Sequence, residues 1–147
     1  MSVSPSQNGN GYKLRSQCNE TQVNLAEVSS VAIAGGCGAA LRHIICVLIP
    51  ASKFPTGTLV VNASGSLLLG VLVGFLSIRP EISPTIRLFC GTGFLGAFTT
   101  YSTFSVDSAQ LILNGDHHLL VVNVLAQLVL GIGFALAGLW FGANVFS

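Results

Sequence analysis

The sequence predicts an all-α membrane protein with four transmembrane helices per chain, the third of them broken. Three observations predict it. Hydrophobic residues make up 51% of the chain and charged residues 7%, far from the balance of an aqueous domain. Glycine occurs 17 times in 147 residues, in keeping with its enrichment in membrane helices. The run from Gly93 to Ser105 sets glycine and five Ser or Thr hydroxyls in the middle of an apolar stretch. Backbone of that kind is tolerated at membrane depth only where protein buries it or where it lines a hydrated cavity.

Taken in order, residues 1–27 are polar and rich in turn formers, among them Pro5, Gly9 and Gly11, and are expected to be a disordered tail. Apolar sequence begins only at Val28, too far along for the core of a cleavable signal, so one membrane domain over 28–147 is expected. The first span, 28–49, stops at Pro50, and the second, 56–78, is bounded by Pro55 and Pro80. The third, 85–113, exceeds the roughly 20 residues that a crossing requires, which leaves room for a break. The fourth covers 119–146. Connections at 50–55 and 114–118 are short, so consecutive helices should be antiparallel neighbours.

Small and amide residues mark faces of these helices. Asn62, Ser66, Gly70 and Gly74 recur every four residues on span two, and Asn123, Gln127, Gly131 and Ala135 do so on span four. Such stripes either lock helices together or edge a narrow polar path. In span three, an unwound segment exposes carbonyls able to replace a cation's hydration shell, while hydroxyls and aromatic edges can receive an anion. The segment therefore reads as an ion site.

Charge sets further bounds. With four spans, Arg79 and Arg87 fall on the side of the termini and Arg42 and Lys53 on the other, so outside the tail the count is two against two. The positive-inside rule then gives no single orientation, which fits insertion in both. A bundle this small also lacks the volume to enclose a pore, and both points favour an oligomer. No Lys/Arg cluster exists to neutralise phosphates, so nucleic acid is excluded as a partner.

Other chemistry is weakly supported. Cys18, Cys37, Cys46 and Cys90 show no CxxC spacing, and the last three fall in spans, where cysteine acts as a small hydrophobe. His117 and His118 lie in a loop without a third metal ligand nearby. No helix pairs a nucleophile with a base, so no enzyme is expected.

Three segments carry a resemblance: Gly35-Gly36-Cys37-Gly38-Ala39-Ala40-Leu41-Arg42 in span one, Gly57-Thr58-Leu59-Val60-Val61-Asn62-Ala63-Ser64-Gly65-Ser66 in span two, and Gly96-Ala97-Phe98-Thr99-Thr100-Tyr101-Ser102-Thr103-Phe104-Ser105 in span three. In order and spacing they resemble the signatures of the Fluc (CrcB) fluoride channel family. The resemblance covers about residues 30–146. It implies a fluoride-selective channel, an antiparallel dual-topology homodimer with two anion pathways, in a bacterial inner (plasma) membrane. It also implies a structural sodium ion at the dimer interface, bound by main-chain oxygens matching Gly96 and Thr99. The pore asparagine corresponds to Asn62, the aromatic box to Tyr101 and Phe104, and the span-one arginine to Arg42. Hydroxyls of Ser102 and Thr103 join the expected anion pathway.

The chain departs from the family pattern at Tyr101, where phenylalanine is commoner, at Asp107, where glutamate is usual, and at His43. Two other functions compete. A small proton-coupled multidrug exporter needs a membrane carboxylate, and Asp107 is the only acidic residue well within a span. A non-transporting scaffold accounts for the small-residue faces but not for the hydroxyl-rich segment.

Overall fold

The computed structural model describes residues 24–50 and 52–145, and all of their regular structure is helical. Helix α1 spans Leu25–Leu48, α2 spans Thr56–Ile78 and α6 spans His117–Val145. Between α2 and α6 lie a short α3, Pro84–Arg87, a π-helical segment, Leu88–Leu95, a single turn α4, Gly96–Phe98, and α5, Tyr101–Leu113. Three helices, α1, α2 and α6, are long and apolar enough to cross a membrane. The predicted third span is divided instead among α3, the π segment, α4 and α5.

Boundaries follow local chemistry. Helix α1 starts three residues before the predicted span because Asn24 caps it, its side chain accepting from the Ala26 N–H at 3.0 Å. Residues 25–27, assigned to the tail from sequence, are thus its first turn, while the rest of the expected tail, 1–23, lies outside the described residues. Pro50 and Pro55 flank the next connection. Ser83 caps α3, with Pro84 in the first position, where its missing N–H costs nothing. The Arg87 guanidinium holds the preceding loop: Nε donates to the Ile82 carbonyl at 3.1 Å, and Nη2 to those of Arg79 and Pro80 at 3.2 and 3.1 Å. After α5 the chain turns through Gly115, whose φ of 77° suits a residue without a Cβ.

Helix α2 lies along α6, and α1 lies along the π segment and α4. The first contact is a glycine zipper. A Cβ built on Gly70 or Gly74 would collide with the carbonyl of Ala135 or Leu139, and one on Gly138 or Gly142 with that of Leu67 or Val71. Side chains absent from both faces let the backbones touch. The loops at the α1–α2 and α5–α6 ends meet, Lys53 Nζ lying 3.9 Å from Asp116 Oδ1.

The burial pattern is that of a protein whose solvent is apolar. Asn123 is 0% exposed, whereas Val129 and Trp140 on the same helix are each 66% exposed. A face of that composition belongs against lipid or another subunit.

Candidate functional site

The site forms where α2 and α6 meet the junction of α4 and α5. The backbone of Thr99 (ψ 157°) and Thr100 (φ −149°, ψ 110°) is extended there. The α-helical ladder ends with the Thr99 N–H, which donates to the Leu95 carbonyl at 3.1 Å. A continuing helix would send the Thr100 N–H to Gly96. It goes instead to Asn62 Oδ1 at 2.8 Å, while Asn62 Nδ2 donates to the Thr100 carbonyl at 3.0 Å. The Asn62 carboxamide thus pairs with the N–H and the C=O of one residue, Thr100, as a neighbouring strand would, and satisfies backbone that neither α4 nor α5 can.

Hydroxyls complete the turn into α5. Thr100 Oγ1 accepts from the Thr103 N–H at 3.2 Å as the N-cap, and lies 2.9 Å from Thr103 Oγ1 and 3.3 Å from Ser102 Oγ. One turn along α2 from Asn62, the buried Thr58 hydroxyl donates to Asp107 Oδ2 at 2.7 Å, tying α2 to α5. Asn123 Nδ2 donates to Ser108 Oγ at 3.1 Å and ties α6 to α5.

A cavity of about 300 Å³ opens beside this junction, large against the roughly 30 Å³ that one water occupies. Among its lining residues are Asn62, Ser66, Thr99, Tyr101, Phe104 and Gln127. The rings of Tyr101 and Phe104 lie 5.7 Å apart, tilted by 55°. That is the arrangement in which one ring's edge approaches the other's face. Asn62 Nδ2 also donates to Gln127 Oε1 at 3.2 Å, linking α2 to α6 across the cavity wall.

Of the residues expected from sequence to take part in the anion pathway, the structure brings Asn62, Tyr101 and Phe104 to this cavity. Ser102 and Thr103 sit at the start of α5, engaged with Thr100, and are not among the cavity's lining residues. Arg42 is half-buried on α1, away from the cavity, without a hydrogen bond or ion pair to any described residue. Gly96 and Thr99 bracket α4, with Thr99 in the cavity wall. The stripes of the sequence include Ser66 and Gln127 without assigning them to a site. Thr58 belongs to the same stripe, one turn before Asn62, and Gly138 with Gly142 repeats the small-residue interval on α6; the stripes drawn from sequence do not extend to them.

Residues 29–139 match the family described as CrcB-like protein, Camphor Resistance (CrcB). The chain is 44% identical over 117 residues to a protein of Bacillus subtilis (strain 168) named Fluoride-specific ion channel FluC 2, covering 80% of this chain and 88% of that one. It is 38% identical over 117 residues to the Fluoride-specific ion channel FluC of Thermococcus kodakarensis, with 79% and 95% covered. Against the protein of that name from Agrobacterium fabrum it is 39% identical over 125 residues, covering 83% of this chain and all of the relative (100%). With most of its length matched in sequence by these proteins, the chain belongs to the CrcB-like family.

Proposed function

We infer that this chain is a fluoride-selective ion channel, which lets fluoride leave the cell passively and so confers fluoride resistance. Relatives that match most of its length are named as such channels, and channels are not enzymes. The observation in the fold that carries the reading is the convergence of Asn62, Tyr101 and Phe104, from α2 and α5, on one cavity. Fluoride is small and strongly hydrated, so a path must offer donors in place of water. Amide N–H groups and the positive edges of aromatic rings do so without a full charge that would hold the ion too tightly. Hydrogen fluoride enters cells as a neutral acid and dissociates; a membrane about 100 mV negative inside then drives the anion outward with roughly 2.3 kcal/mol. No energy source beyond the potential is needed. A proton-coupled exporter is not favoured: its required carboxylate would be Asp107, which is engaged by Thr58.

In this reading α3, the π segment, α4 and α5 together make the third of four crossings, broken at Thr99 and Thr100, in a bacterial inner membrane. The functional unit is an antiparallel homodimer. Tyr101 lines the cavity yet is 80% exposed in the single chain, which leaves that wall to be closed by a second copy.

Sodium at the dimer centre would be held by the carbonyls of Gly96 and Thr99. The chain fits such an ion because the Thr100 N–H has been diverted to Asn62, leaving the Gly96 carbonyl without its helical donor. Neutral oxygens of this kind suit a hard monovalent cation. When bound, the ion would neutralise carbonyl dipoles from both copies and fasten the dimer. A high-resolution density map of the dimer in sodium should show a peak between these carbonyls; a map without central density rules the site out.

Efflux of fluoride from reconstituted vesicles, with chloride as control, tests the function itself. Phe104→Ile keeps bulk and removes the ring edge, and is expected to lower fluoride efflux up to roughly tenfold with the dimer intact, the loss of about 0.5–1.5 kcal/mol from an aromatic contact. Tyr101→Phe keeps its ring and should retain most of the flux. Undiminished efflux from Phe104→Ile would mean that the ring only packs.

A further inference from the structure

The glycine zipper shapes the outside of the α2–α6 pair as well as its seam. Because Gly70, Gly74, Gly138 and Gly142 let the two backbones touch, larger side chains beside the seam stand out as walls. On one flank they enclose a groove of about 450 Å³, lined by Leu67, Leu68, Val71, Ala137, Trp140 and Phe141. Apart from the indole nitrogen of Trp140, every side chain there is hydrocarbon. An ion, a lipid headgroup or a polar solute would lose its water in the groove and gain no partner.

Position decides what covers it. Val71 follows Asn62 by nine residues, about two and a half turns of helix, so the groove and the site cavity lie on opposite sides of α2. The second copy that closes the cavity wall at Tyr101 approaches from the cavity side and leaves the groove to the bilayer. Depth agrees with this. Leu67 is the midpoint of α2, Thr56–Ile78, and the groove runs from there toward the Arg79 end. The acyl chains of one leaflet lie at that depth, in a hydrocarbon layer about 15 Å thick.

We propose that this groove binds one straight acyl chain of a membrane phospholipid, seated along the α2–α6 seam. Only the side on which the second copy docks is taken from the channel reading above. The headgroup plays no part in recognition, because the walls offer it nothing. Bulk lipid is as apolar as the groove, so selection comes from dispersion contact with fixed walls and not from leaving water. A straight chain lies against Trp140 and Phe141 along its length, whereas a methyl-branched chain is held off by its branches. The resulting preference is modest, about threefold to fivefold over branched lipid.

Trp140 is the single tryptophan of the chain, so its fluorescence reports on the groove directly. The test reconstitutes the full-length protein in vesicles of diphytanoyl phosphatidylcholine, whose chains are branched, with small fractions of dibromostearoyl phosphatidylcholine as the straight-chain quencher. Quenching should match a local quencher abundance about threefold to fivefold above its mole fraction. Ala137→Phe fills the groove and leaves Trp140 facing lipid, so the excess should vanish; Leu68→Phe serves if the first variant does not fold. Wild-type quenching that follows mole fraction, or an excess that survives filling of the groove, overturns the proposal. Absence of quenching means that a second copy covers the groove, which overturns it as well. Fluoride efflux from the same vesicles tests the channel reading separately: a chain that passes no fluoride but shows the excess loses that reading and keeps the groove.

Discussion

Asn62→Asp is expected to reduce fluoride conduction to about 1% of wild type or less. Asn62 accepts from the Thr100 N–H at 2.8 Å and donates to the Thr100 carbonyl and Gln127 Oε1 at 3.0 and 3.2 Å. An aspartate keeps the first bond and turns the other two into oxygen facing oxygen, each costing about 1–3 kcal/mol. Its charge also repels the anion: two like charges about 4 Å apart at an effective dielectric of 20 repel by about 4 kcal/mol. The repulsion alone exceeds the roughly 2.8 kcal/mol of a hundredfold loss, since 1.4 kcal/mol is a factor of ten, and the two broken bonds add to it. Efflux followed with a fluoride electrode, after size-exclusion chromatography to establish that the dimer survives, is the measurement. Normal efflux would mean that this carboxamide neither lines nor shapes the path.

How this contact arises separates what was legible in the sequence from what was not. Hydropathy and proline positions placed α2 at its observed bounds and α1 and α6 to within a few residues, because membrane length and proline's missing donor act locally. The family signatures pointed to Asn62, Tyr101 and Phe104, and the structure brings these together. The four-residue stripes identified faces, yet a stripe does not name its partner. That Asn62 serves the Thr100 peptide, 38 positions away, depends on α5 returning past α2. The π-helical Leu88–Leu95 was illegible for another reason: its apolar residues read equally well at 3.6 residues per turn, and the shift to i→i+5 bonding leaves no mark on hydropathy. Gly138 and Gly142 lie on a different line of α6 from the stripe through Gly131 and Ala135, and the sequence alone does not say which line meets α2. Only the packing shows that the α6 backbone meets α2 along both lines.

Forcing every copy into one orientation is the second large expected effect. Loop charges are balanced, Arg42 and Lys53 against Arg79 and Arg87, and Lys53 meets Asp116 where the 50–55 loop approaches the start of α6. Several lysines added to the 50–55 loop should hold that end in the cytoplasm. An antiparallel dimer then lacks its oppositely oriented half, and fluoride efflux should fall nearly to background. Co-expression with a copy carrying the added lysines in the 79–83 loop, on the opposite side, should restore it. Full efflux from a population shown by cysteine labelling to lie one way only would rule out the antiparallel architecture.

The glycine zipper between α2 and α6 has a thermal consequence. In an aqueous core, apolar faces are driven together by the release of water, and that drive fades as the temperature falls. Lipid tails are as apolar as the faces of these helices, so no such drive acts between α2 and α6. Carbonyls seated against glycine are held by dispersion and by Cα–H···O contacts, neither of which depends on ordering water. This helix pair should therefore keep its grip in the cold, when soluble folds of equal size begin to loosen.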